Sequence, residues 1–173
     1  MAPPGQSNSI VCFKSCYPNN RFTGRGSEPG DPDGCDRTLA NAKAAYRALL
    51  PALKAQPEVL FVAFTAPPMA EFIPVGLKAK IKNMFKPEDR GGALAMEFNA
   101  WLVDRENGWL AGYELPNVAV FDYYDVLRGG NAKGYTAHAT RGGHDSHPSR
   151  EGNGKAAAAF MPFLSAAVQG MGW

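Results

Sequence analysis

Three apolar runs along the chain are of strand length, and the stretches between them repeat apolar residues at helical intervals. SIVCFKS (9–15) is rich in β-branched and aromatic residues and is bounded by polar and proline-containing segments, the pattern of a buried strand. EVLFVAFTAPP (58–68) is apolar without alternation up to a double proline. Such runs belong to strands covered on both faces, as in parallel sheets. NVAVFDYYDVL (117–127) predicts a third buried strand, with Asp122 near its C-terminal end.

Helical spacing follows each of the first two strands. Thr38 is a natural cap for a helix carrying Leu39, Ala42, Tyr46, Leu49, Leu50 and Leu53 on one face, with Pro51 kinking it or marking its last turn. Leu94, Phe98, Trp101 and Leu102 stripe a second helix. Gly152 to Gln169 predicts a last one, capped by Ser149, with Phe160, Phe163, Leu164 and Val168 on its core face. Turn formers fill 16–36, an irregular excursion with a short amphipathic piece covers 69–92, and a glycine-rich loop covers 129–143. Long crossovers carrying helices imply parallel strands with helices on both sides. The expectation is therefore a three-layer α/β/α sandwich with a short parallel sheet, a single domain over 9–173 behind a flexible tail at 1–8. Ligands of such sheets bind beyond the carboxyl ends of the strands.

Composition narrows the function classes. The 173 residues are 45% hydrophobic and 20% charged, ordinary for a globular domain, and the net charge of +2 does not suggest a nucleic-acid partner. The densest basic cluster, Lys78, Lys80, Lys82 and Lys86, is diluted by Ile81, Met84 and Phe85 and reads as a solvated amphipathic segment. No apolar run has membrane-spanning length, and MAPPGQSNS lacks the pattern of a signal peptide, which leaves the compartment open. Cys12, inside an apolar run, reads as a buried small hydrophobe. Cys16 and Cys35 bracket the turn-rich loop and either pair or stay reduced.

The chemistry concentrates in HDSHPSREGN (144–153). A histidine acting as general base needs an acceptor on its other ring nitrogen, and Asp145, two residues before His147, can supply it. The structural alternative is a capped polar loop. A metal set of His138, His144, Asp145 and His147 is a third reading, without a helical HExxH spacing to support it. Asp31, Asp33 and Asp36 resemble a calcium loop but lack its far-end glutamate, so turn geometry is the expected use. No cofactor motif is present.

The strand–helix order and the closing DSHPSREGN before a helix resemble the C-terminal part of the SGNH (GDSL-like) hydrolase superfamily. IVCFKSCYPNN resembles that family's third strand and the loop after it, FVAFTAPP the next strand, and NVAVFDYYDVL the one after that. The resemblance implies a flavodoxin-like fold, truncated before that third strand, and an esterase working on small or carbohydrate O-acyl esters without a cofactor. His147 would be the base and Asp145 its orienter, spaced D-x-H where the family has D-x-x-H. Asn19 or Asn20 would be the oxyanion donor, with His144, Ser146 and Pro67 beside the substrate. The family's Gly-Asp-Ser nucleophile block is absent. Ser15, ending the first strand, is the leading nucleophile candidate; Ser7, in a GQSN that echoes some carbohydrate esterases, and the Cys16 thiol are others. A sheet cut at that point exposes an edge, which predicts a homodimer or a rearranged N-terminus covering it. A catalytically degenerate binding module is the competing function.

Overall fold

The computed structural model describes residues 9–71, 76–78, 81 and 92–173. Lys80, Lys82 and Lys86 of the lysine-rich piece, the N-terminal tail and Ser7 lie outside the described residues. Three strands, β1 (Ile10–Lys14), β2 (Leu60–Phe64) and β3 (Val118–Phe121), form a parallel sheet in the order β1-β2-β3. Its register pairs Lys14 with Phe64 and Phe64 with Phe121, so all three carboxyl ends finish in one row.

Helices cover both faces. Phe61, Ala63 and Val118 point into a core with Leu39 and Leu53 of α1 (Leu39–Lys54) and Leu94, Phe98 and Leu102 of α2 (Ala93–Val103). Leu60, Val62 and Ala119 point the other way, against Phe160, Phe163, Leu164 and Val168 of the C-terminal helix (Arg150–Gly170). The central strand is buried along almost its whole length, as its unbroken apolar run requires. The caps are those the sequence announces: Thr38 accepts from the Asn41 N–H, and Ser149 from the Gly152 N–H. Pro51 falls in the last turn of α1, where the chain ends one turn later.

The structure departs from the sequence expectations in three places. The apolar run 117–127 is not one strand. Asp122 turns its carboxylate onto the Asp125 N–H and caps a short helix, α3 (Tyr123–Arg128), ended by Gly129 in the left-handed region. The glycine-rich loop contains a small antiparallel pair, β4 (Ala139–Thr140) with β5 (Asp145–Pro148). Its turn runs through positive φ at Arg141, Gly142 and Gly143, a path two glycines make accessible. Numbered in chain order, the C-terminal helix is α4.

The third departure concerns β1. It is an edge strand, alternately exposed and half-buried, rather than a buried one. Val11 and Phe13 pack under α1, whereas Ile10 is 38% exposed and Cys12 is an exposed free thiol, not a core residue. The reason is lateral: α4 sits over β2 and β3 and does not reach the outer strand. A shallow hollow of about 230 Å³ opens there between Lys14, Phe64 and Phe160.

Candidate functional site

The carboxyl row of the sheet delivers three segments to one end of the molecule. After β1 the chain makes a single 3-10 turn, Tyr17–Asn20, with Pro18 in its first positions. After β2 it runs through Thr65–Ala70, and the β4–β5 pair returns the HDSHP segment to the same place. Ser146 Oγ accepts from the Ala70 N–H at 3.1 Å, and the Thr136 N–H donates to the Met69 carbonyl at 2.9 Å. These bonds dock β5 and its approach onto the loop after β2.

Asp145 and His147 meet. Nδ1 of His147 lies 2.6 Å from Asp145 Oδ1, which also accepts the backbone N–H of His147 at 3.0 Å. A carboxylate can only accept, so Nδ1 donates in this bond, and among the described residues Nε2 has no hydrogen-bond partner. The backbone N–H of His147 first, then its ring, hold the Asp145 carboxyl below the usual carboxylate range. The Thr140 hydroxyl donates to the His147 carbonyl at 2.6 Å, and the Tyr17 ring meets the imidazole edge to face, centroids 5.3 Å apart. The imidazole is thus held from behind, on one side and through its own backbone, while 65% of its side chain faces solvent. Neither Tyr17 nor Thr140 stands out in the sequence; both act through a fold contact that no local pattern encodes.

The remaining candidates separate. Ser15 Oγ is 3.3 Å from the Tyr46 hydroxyl of α1, and among the described residues no hydrogen bond joins it to His147. As placed, its hydroxyl has a phenol for a neighbour, and among the described residues no base is hydrogen-bonded to it. Burial pushes the Tyr46 phenol up, so it remains protonated. Cys16 and Cys35 are both free and exposed rather than paired.

Asn20 is buried and fully engaged. Its amide donates to the Ala66 carbonyl at 3.2 Å and the Pro67 carbonyl at 2.9 Å, and its oxygen accepts from Asn99 Nδ2 at 3.1 Å. Asn99 in turn accepts the Ala66 N–H and donates to Ala95. Both amide hydrogens of Asn20 are therefore committed to the loop after β2, leaving no donor for an oxyanion. Asn19, one residue earlier, is exposed, and its side chain has no hydrogen-bond partner among the described residues. Pro67 is buried and contributes its carbonyl to Asn20, so its ring is not a substrate surface. Ser146 is tied to Ala70, and His144 is exposed at the β4–β5 turn.

His138 stands apart from the pair. Its ring lies against α4, with Nε2 at 3.2 Å from Lys155 Nζ and Nδ1 at 3.8 Å from Glu151. No group of three histidine, cysteine or acidic side chains gathers among the described residues, so the four-residue metal set is not assembled there. In the loop before α1, Asp31 Oδ1 accepts the Asp33 N–H and Asn41 Oδ1 accepts the Asp31 N–H, the turn use expected of these residues. No helix among the described residues is long and apolar enough to cross a membrane.

Searches of protein-family models, curated proteins and solved structures return no match to this chain. The site therefore has to be read from its own geometry.

Proposed function

We propose that the chain is an SGNH-like ester hydrolase acting on small O-acyl esters, with His147 as general base and Asp145 as its orienter. The observation that supports this is the 2.6 Å Nδ1–Oδ1 contact, which sets the tautomer and leaves Nε2 free at the carboxyl end of a parallel sheet. In this reading Nε2 takes the proton of the attacking hydroxyl and returns it to the departing alcohol. The Asn20 amide is committed to the Ala66 and Pro67 carbonyls and is not available to the developing oxyanion.

Turnover of a chromogenic short-chain ester tests it. His147→Ala is expected to abolish hydrolysis, and Asp145→Asn to lower kcat by roughly 10²- to 10⁴-fold. Undiminished turnover in His147→Ala refutes the assignment. Ser15 is held by Tyr46 and Ser7 lies outside the described residues, so fluorophosphonate labelling with peptide mapping identifies the attacking serine. A second reading, a non-catalytic binding module on the same scaffold, draws on a specific observation: no described hydroxyl or thiol is hydrogen-bonded to His147 Nε2. A folded protein that resists the label and shows no turnover favours that reading.

A further inference from the structure

The 3-10 turn at Tyr17–Asn20 divides the carboxyl end of the sheet. Tyr17 faces His147, whereas Ser15 and Asn19 line a separate hollow of about 310 Å³ between the end of β1, the loop 32–38 and α1. Its floor is apolar: Phe22, Ala42, Tyr46 and Phe98, the last two rings edge to face at 5.4 Å. Its volume is at the lower end of the range for small-ligand pockets.

The polar lining is what selects a ligand class. Asn41 and Thr38 are already occupied, the first by Asp31 and Asp36 backbone groups and the second by the cap of α1. Asn19, Asp36 and Arg37 are different. Among the described residues their side chains make no hydrogen bond or ion pair. Together they offer amide and guanidinium donors, amide and carboxylate acceptors, and no net charge. An anionic ligand would place its charge beside Asp36, and a cationic one beside Arg37. A hydroxyl both donates and accepts, so one hydroxyl-bearing ring can satisfy Asp36 and Arg37 at once while its C–H face rests on the apolar floor.

We propose that this hollow binds an uncharged, polyhydroxylated ring of monosaccharide size, held by Asn19, Asp36 and Arg37 over the Phe22–Tyr46–Phe98 floor. The assignment does not depend on the hydrolase reading, because it concerns occupancy and not turnover.

Amide chemical shifts of the full chain, titrated with methyl glucoside, methyl mannoside and myo-inositol, test it, with acetate and methylammonium as charged probes. Saturable shifts at Asn19, Gly34, Cys35 and Arg37 are expected with at least one neutral probe. Arg37→Ala and Asp36→Ala should each weaken that binding about tenfold, the loss of a hydrogen bond to a charged group, while distant amides keep their positions. His147→Ala should leave it unchanged, which separates failure here from failure of the hydrolase assignment. No saturable shift with any neutral probe, equal affinity in both variants, or tighter binding of either charged probe overturns the proposal.

Discussion

Asn20→Ala is the most informative single change. The side chain is 1% exposed and joins three segments: the turn after β1, the loop after β2, and α2 through Asn99. Truncation removes three hydrogen bonds and leaves the Ala66 and Pro67 carbonyls and one Asn99 amide hydrogen facing a space with no partner. A typical hydrogen bond contributes about 1 kcal/mol net, but each buried group left unsatisfied costs about 1–3 kcal/mol. Mutual relaxation and an entering water would recover part of that. The expected loss is about 3–5 kcal/mol, a large share of the roughly 5–15 kcal/mol that holds a domain of this kind folded. Urea denaturation followed by circular dichroism measures it as a lower midpoint at unchanged slope. Asn99→Ala should cost a similar amount, and the double variant should cost less than the sum of the two by about 1 kcal/mol or more, because the pair share a 3.1 Å bond. A loss below about 1 kcal/mol for Asn20→Ala, or strict additivity, would show that the network does not hold the loops together.

Two further outcomes follow from local geometry. A Cβ at Gly152 would sit 2.7 Å from His138 Cβ and 3.2 Å from Leu127 Cδ2, whereas at Gly154 it would meet nothing within 4 Å. Gly154→Ala should therefore stabilise by up to about 1 kcal/mol through helix propensity, and Gly152→Ala should lose more than that gain by overpacking, about 1–3 kcal/mol; equal melting shifts for the two would refute the contact. For Asp145, bonds from His147 hold the folded-state carboxyl below its unfolded value. The stability it contributes is present above the unfolded carboxylate range, about pH 4, and fades as pH falls through the lower folded value. The gap in melting temperature between the protein and Asp145→Asn should thus close on acidification, and parallel pH profiles would contradict the pairing.

The features that could be read in the sequence are those set by neighbours along the chain. Asp145 and His147 are two residues apart, so their contact needs only an extended turn, and the capping serine and threonine lie within three residues of the N–H groups they serve. The unbroken apolar run of β2 dictates burial on both faces wherever the strand sits, and parallel pairing follows from the helices between strands. NVAVFDYYDVL is the instructive failure. Its apolar content suits a strand or a buried helix equally, and the cap formed by Asp122 decides where one becomes the other.

What only the tertiary structure decided is which way each side chain faces and what lies beyond it. Adjacent asparagines with the same chemistry part company because the 3-10 turn points Asn20 into the Asn99 network and leaves Asn19 open to a hollow. Ser15 is directed to Tyr46, 31 residues away in sequence, instead of to the histidine. Cys12 has a core residue's surroundings in sequence, but α4 stops short of β1 and leaves it bare. Local pattern determines an element and its cap, because those energies are exchanged within a turn or two of chain. Partnership across the fold depends on where separate elements come to rest, and that information is distributed over every residue that packs them.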